Sequence, residues 1–362
     1  MIIAVVLILF FVIAVYAFMH QLSFGKLPSG KRLEKIQHSP NYREGSFQNI
    51  HHTPNLEEGQ SYFRVMKEFF FNKDKRNTPK QKLPSQKTDL LSLKTDENVL
   101  VWFGHSSYFM QIDGKKILVD PVLSGNAGPL SFTTKSYTGT DIYTPEEFPE
   151  IDYLFISHDH WDHLDYKTVT KLNVKKIITG LGTGAHFERW GFDPNLIIEK
   201  DWNEEARLDE GFYIHTFPAR HFSGRSFKRN QAIWVSFIFI TPTMKIFIGG
   251  DSGYDTHFTD IGKAYGPFDL AILECGQYNR YWKYIHMMPE ETAQAAVELQ
   301  AKILLPVHWG KFSLGLHAWD EPIIRVTKAC TERNMPVIHP MIGECVNLNA
   351  PIASKRWWEG IN

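Results

Sequence analysis

Apolar positions fall along this chain in three registers, and each predicts a different element. Residues 1–19 form an unbroken apolar run without charge, glycine or proline. At about 1.5 Å per helical residue the run approaches the roughly 30 Å of a bilayer core and reads as a single membrane anchor. A cleaved secretory signal is the alternative reading, but no cation precedes the apolar stretch, as such a signal would require. From residue 99 onward, short apolar or alternating runs predict strands at 99–102, 108–112, 116–119, 153–156, 176–179, 212–217, 232–240, 244–248, 270–273 and 303–307. Helical spacing predicts helices at 61–71, 183–190, 289–299 and 321–333. The third opens on Pro289 with Glu290 and Glu291 in its first turn, which is a helix start.

Strands mixed with helices over this length fit one α/β domain of two packed sheets flanked by helices. The expected division is an anchor at 1–19, an N-terminal extension and linker at 20–95, the main domain at 96–350 and a C-terminal tail at 351–362. A chain of 362 residues that is 43% hydrophobic can bury a large core. Lys plus Arg (39) balance Asp plus Glu (40), so no global basic field argues for nucleic acid as a partner. Three cysteines, Cys275, Cys330 and Cys345, are too few for a disulfide framework and point to a reducing compartment. Lys26, Lys31, Arg32 and Lys35 follow the apolar run, and by the positive-inside tendency they would leave the main domain in the cytoplasm. Residues 72–87 are polar, cationic and broken by proline; they read as a solvated linker and equally as a basic collar for anionic lipid.

The chemistry starts in the string Ser157-His158-Asp159-His160-Trp161-Asp162-His163-Leu164-Asp165, directly behind a predicted buried strand. His158 and His160 are two apart, so both imidazoles point to the same side of an extended backbone and can grip one ion. Asp162 and His163 follow the turn and can face a second. Imidazoles with a carboxylate suit zinc or a similar borderline metal, and paired ions activate water for hydrolysis. Three further strand ends each supply one ligand type: His221 after 212–217, Asp251 after 244–248 and His308 after 303–307. The expected arrangement is two zinc ions, one on His158, His160 and His221 and the other on Asp162, His163 and His308, with Asp251 bridging. Asp251 and Asp162 are also candidates for orienting the attacking water.

These residues resemble the metallo-β-lactamase superfamily, whose mark is a His-x-His-x-Asp-His loop followed by His, Asp and His at later strand ends. Within it the chain is most similar to the N-acylphosphatidylethanolamine-hydrolysing phospholipase D branch. The resemblance rests on Trp102-Phe103-Gly104-His105-Ser106-Ser107, Val119-Asp120-Pro121-Val122, Pro218 to His221, Gly250-Asp251-Ser252-Gly253-Tyr254, Gly266-Pro267-Phe268-Asp269-Leu270, His286 to Glu291 and His308-Trp309-Gly310. It implies a four-layer αββα sandwich with the metals at one edge, and cleavage of a membrane phospholipid to N-acylethanolamine and phosphatidic acid. It further implies a catalytic role for His286, stabilising a phosphoryl oxygen or protonating the leaving alkoxide.

Four aromatics and two cations precede His286, and Arg280, Tyr281, Trp282, Lys283 and Tyr284 are expected to wall a substrate groove. Asp120 and His105 are expected to support the ligands from behind, Asp120 by orienting an imidazole. A phospholipid membrane and a lipid substrate are the expected partners, with homodimerisation an open expectation. The alternatives are a metal-dependent lactonase or esterase on a soluble substrate, and a tethered scaffold without chemistry. The anchor and the Phe222-Ser223-Gly224 segment after His221 depart from the animal enzymes of the branch and bear on lipid specificity.

Overall fold

The computed structural model describes residues 2–350 and 355–361; residues 351–354 of the expected tail lie outside them. The apolar run forms helix α1 (Ile2–Met19), which has no buried residue and is long and apolar enough to cross a membrane. Helix α2 (Lys31–Gln37), a hairpin of β1 (Tyr42–Arg43) and β2 (Ser46–Phe47), and helix α3 (Tyr62–Phe71) follow. Ser61 caps α3 by accepting from the Arg64 amide.

Two sheets form the centre. The first contains β3 (Val99–Trp102), β4 (Tyr108–Ile112), β5 (Lys115–Val119), β6 (Ile151–Ile156), β7 (Val174–Gly180) and β8 (Ile197–Lys200). The second contains β9 (Glu205–Asp209), β10 (Phe212–Pro218), β11 (Val235–Ile240), β12 (Lys245–Ile248), β13 (Leu270–Glu274) and β14 (Leu304–Val307). Strand β15 (Cys345–Asn347) closes the outer edge of the first sheet, in the order β15-β3-β4-β5-β6-β7-β8; the second runs β14-β13-β12-β11-β10-β9. Each sheet is antiparallel in its first strands and parallel in its later ones, with β5, β6, β7 and β8 parallel in one and β12, β13 and β14 in the other. The central strands β6 and β13 read as near-continuous apolar runs because both their faces are covered.

Along β6 the alternation sorts residues between layers. Tyr153 and Phe155 face the second sheet, where Phe155 meets Phe237 and Phe239 at ring distances of 5.1 and 5.4 Å. Leu154 and Ile156 join the opposite cluster with Leu164, Val169 and Phe187, beneath α4 (Tyr166–Val169) and α5 (Gly184–Arg189). Helices α6 (His257–Tyr265), α7 (Pro289–Glu298) and α8 (Glu321–Glu332) cover the second sheet. The result is the expected four-layer αββα sandwich with mixed sheets.

The predicted strands and helices sit within a few residues of the observed ones, but β1, β2, β8, β9, β15, α2, α4 and α6 were not foreseen. The edge strands β8 and β9 are short, polar at every second or third position, and half-exposed, so no apolar register announces them.

The extension differs from a free linker. Ile36, Phe47 and Leu83 are fully buried in the main core. Asn77 donates to the carbonyls of Gly315 and His317, and Tyr137 reaches back to the Asn77 carbonyl, so residues 72–87 form a packed strap. Nor is the chain end free: Trp357 stacks on Trp309 at 5.3 Å and 18°, and Trp358 is 2% exposed. Two adjacent tryptophans in a polar terminus carried the signal, since exposed tryptophan pairs are costly. Trp309 directly follows His308, so the terminus packs beneath a site residue. Trp357→Ala should therefore cost about 3 kcal/mol or more of stability, read as a lower midpoint of thermal unfolding in a calorimetric scan.

Candidate metal centre

Strands β3, β5, β6, β10, β12, β13 and β14 all point their C-terminal ends to one edge of the sandwich. The residues just beyond those ends are His105, Asp120, Ser157 to His163, His221, Asp251, Glu274 and His308. Several hold a left-handed backbone that side-chain-bearing residues rarely adopt, namely His105 (φ 53°), Asp120 (φ 41°) and His308 (φ 68°). Gly250 (φ 60°) has a steric reason as well: a Cβ there would lie 2.8 Å from the Ser157 Cβ.

Two groups of donor atoms share this edge. His158 Nε2 and His221 Nε2 lie 2.9 and 3.2 Å from His160 Nδ1. Tetrahedral zinc with metal–nitrogen bonds of about 2.0–2.1 Å separates its ligand nitrogens by roughly 3.3 Å, so this spacing fits one ion. The second group is Asp162, His163 and His308, joined by His105, with donor atoms all within 4.8 Å of one another. Asp251 stands between the groups. Its Oδ2 lies 3.1 Å from His163 Nε2 and 3.8 and 3.9 Å from the Nε2 atoms of His221 and His158, while Oδ1 is 3.1 Å from His308 Nδ1. His163 Nε2 and Asp251 Oδ1 are buried yet make no hydrogen bond. Unpaired buried donors and acceptors are costly, and a divalent cation would satisfy them.

Burial shapes the protonation states. It holds the His158, His221 and His308 imidazoles well below their usual range, aided by neighbouring imidazoles, and brings His160 down to about 4. Neutral imidazoles are the ligand form. Burial pushes the Asp251 carboxyl up to about 7, with Glu274 nearby adding to the effect. Burial would likewise raise Asp162, but His163 and His105 outweigh it and hold that carboxylate well below its usual range. His163 goes the other way: Asp251, Asp162 and Asp120 overcome burial and raise it.

A surrounding layer fixes the loop. Asp120 Oδ2 accepts from His163 Nδ1 at 2.9 Å, and its two oxygens accept from the Ser157 amide and hydroxyl. His105 Nε2 lies 2.9 Å from Asp162 Oδ2. The buried Arg225 guanidinium stacks on Trp161 at 3.9 Å and donates to the carbonyls of Asp159 and Leu164. It also donates to the Ser23 carbonyl, tying the metal loop to the segment that follows α1. Asp159 accepts from His186 Nε2 at 3.1 Å, and the Lys26 amide closes on His186 Nδ1.

A cavity of about 260 Å³ opens onto His160, Asp162, His221, Asp251, His286 and His308. Of the five residues expected to wall the groove, Trp282 lines this cavity. Tyr281 is buried, with Arg280 bonded to its hydroxyl; Lys283 pairs with Glu57 at 2.5 Å, and Tyr284 lies under Arg220. The segment makes a short turn of 3₁₀ helix over Arg280–Trp282 that directs its side chains to different neighbours. Gln277 and Ile285, which flank that aromatic stretch, also line the cavity, and Asn55, Tyr62, Phe222, Arg229 and Leu314 complete the wall; none of these last five was singled out from sequence as lining a site. Glu274 was also missed: its Oε2 lies 2.6 Å from His286 Nδ1. It ends a predicted strand as the ligands do, so the strand-end rule applied to glutamate would have found it.

A sandwich of this kind with histidines and carboxylates converging at one sheet edge defines a metallohydrolase. Residues 115–309 match the family described as Beta-lactamase superfamily domain, and the chain belongs to that superfamily of metal-dependent hydrolases. The Mycobacterium tuberculosis protein Rv0906 is 35% identical, over 89% of this chain and 88% of its own. N-acyl-phosphatidylethanolamine-hydrolyzing phospholipase D 1 of Caenorhabditis elegans is 30% identical, over 66% of this chain and 75% of its own. Igni18, a metallo hydrolase of Ignicoccus hospitalis, shares the fold with a TM-score of 0.53 at 22% identity, over 69% of this chain and 97% of that one.

The shifts carry a pH dependence. His105, His158, His160, His221, His286 and His308 are lowered in the fold, so between their folded values and about 6.5 the unfolded chain binds more protons and stability falls with acid. The raised groups His163, Asp251 and Glu274 act in the opposite sense but are outnumbered. In chelator, the midpoint of thermal unfolding should drop as pH goes from about 7 to 5; a rise on acidification would contradict this balance.

Proposed function

We propose that the protein is a membrane-tethered dinuclear zinc phosphodiesterase that cleaves N-acylphosphatidylethanolamine to N-acylethanolamine and phosphatidic acid. The observation that carries this reading is the paired donor set bridged by Asp251, with His286 beside it on the cavity wall. His158, His160 and His221 would hold one ion, Asp162, His163 and His308 the other, and Asp251 both. Bound zinc would activate water at neutral pH and neutralise charge building on the phosphoryl oxygens.

The chain's own groups supply the rest. Burial lowers His286 and raises Glu274, which favours a protonated Glu274 Oε2 donating to Nδ1 and the ring's own proton on Nε2. Glu274 orients the ring and leaves Nε2 free to meet a phosphoryl or leaving oxygen. The exposed Arg229 guanidinium at the cavity wall, 5.2 Å over the Phe222 ring, is suited to a phosphate oxygen. Trp282 and Ile285 add apolar surface, and the similarity to a phospholipase D of this specificity supports a lipid substrate. The small cavity keeps a second reading alive, a lactonase or esterase on a compact soluble substrate.

Zinc-loaded protein incubated with N-acylated and ordinary phospholipids and a sugar lactone should release N-acylethanolamine and phosphatidic acid, identified by mass spectrometry. Opening of the lactone without phosphodiester cleavage would establish the second reading instead. His286→Asn should lower kcat by about 10²–10⁴-fold while metal content stays at two ions per chain. We further place the catalytic domain in the cytoplasm, because the cations follow α1. A C-terminal reporter that is active only in the cytoplasm should be active; activity only of an externally functional reporter would reverse the orientation.

A further inference from the structure

We propose that α3 and the turn at residues 226–229 form an interfacial face that seats the mouth of the cavity on an anionic lipid bilayer. The inference rests on the lipid reading above and adds how the substrate is reached.

Helix α3 carries large apolar side chains that the fold leaves uncovered. Phe63, Met66 and Phe71 are 80, 56 and 79% exposed, and Tyr62 is 63% exposed. Positions 62, 63 and 66 share one helical face, and that face carries large apolar groups outward. Arg64 leans over the Tyr281 ring at 5.8 Å, Glu68 accepts from the Asn72 side-chain amide, and Arg64 and Lys67 are exposed alongside the apolar groups. A surface helix in water turns its large apolar side chains toward the core, so this uncovered face wants an apolar medium.

The position of α3 identifies the medium. Tyr62 lines the cavity beside His160 and Asp162, and Phe222 and Arg229 belong to the same wall. Two residues before Arg229, Phe227 is 87% exposed. Phe227 and Lys228 in turn share a depression with Val12, Val15, Tyr16 and Met19 of α1. The candidate membrane span, the Phe227 turn, the cavity mouth and the apolar face of α3 are therefore consecutive neighbours on one surface. Exposed cations are interleaved with these apolar groups, at Lys67, Lys228 and Arg229, which suits anionic headgroups. A bilayer is favoured over a second copy of the chain because α1, which buries no residue of its own, is rooted in this same surface. Cavity size agrees: about 260 Å³ has room for a phosphate and its linker but not for acyl chains. The chains would stay in the bilayer, against the side chains that ring the mouth.

The test uses the full chain reconstituted in phosphatidylcholine–phosphatidylglycerol vesicles, with Cys345→Ser removing the exposed native thiol. An environment-sensitive fluorophore is placed at Phe63→Cys or Phe227→Cys, and at Glu210→Cys in the exposed β9–β10 turn at the opposite end of the sheet. Spin-labelled acyl chains should quench positions 63 and 227 and spare 210. Lack of quenching at 63 and 227 would overturn the proposal, and because this arm requires no turnover it stands apart from the identity of the substrate. In the second arm, Phe63→Ser/Met66→Ser/Phe71→Ser should lower turnover of vesicle-embedded phospholipid at least about tenfold and leave hydrolysis of bis(p-nitrophenyl) phosphate unchanged. Equal loss on both substrates would mean that the face serves folding or catalysis. A dimer that the triple variant dissociates, seen by light scattering in detergent, would assign the face to a second copy and overturn the bilayer.

Discussion

Asp251 is the constraint around which the structure is arranged. A carboxylate 3% exposed, within 4 Å of His158, His163, His221 and His308, places several polar groups in a water-poor space where they cannot all satisfy one another. A divalent cation would satisfy that set, and the backbone accepts left-handed residues at His105, Asp120 and His308 to assemble it. The interleaved aromatic rings between the sheets and the Trp309–Trp357 stack beneath His308 provide the rigidity that holds these conformations in place.

The second theme is continuity between the membrane side and the metal loop. Arg225 bonds to the Ser23 carbonyl with the same guanidinium that holds Asp159 and Leu164, and His186 links Asp159 to the Lys26 amide. Phe24 stacks edge-on against Trp161 of the loop at 4.9 Å. The segment that follows α1 thus joins the domain at the histidine-rich loop itself. That geometry places the root of the apolar N-terminal helix and the cavity-lining histidines at the same edge of the sandwich.

Much of the fold was legible because central strands must be apolar on both faces. The runs at β3, β4, β6 and β13 stand out for that reason. The half-exposed edge strands β8 and β9 carry no such pattern. In the site, ligands of scarce residue types at strand ends could be picked out, whereas Arg229, Tyr62 and Asn55 could not. Arginine, tyrosine and asparagine are ordinary surface residues, and what marks these three is the side of the cavity they occupy. The aromatic stretch before His286 misled in the opposite direction, since composition cannot say that a turn at Arg280–Trp282 sends Tyr281 inward and Lys283 to Glu57.

By itself the sequence determined which histidines and carboxylates stand at strand ends, the central sheet strands and the apolar helix at the N-terminus, because residue chemistry and apolar periodicity are local properties. Only the tertiary structure decided that Glu274 would orient His286, that residues 72–87 and the two terminal tryptophans would pack into the body, and that α3 would face outward. Those outcomes depend on which surfaces meet across hundreds of residues, and burial, unlike spacing, is set by the whole fold.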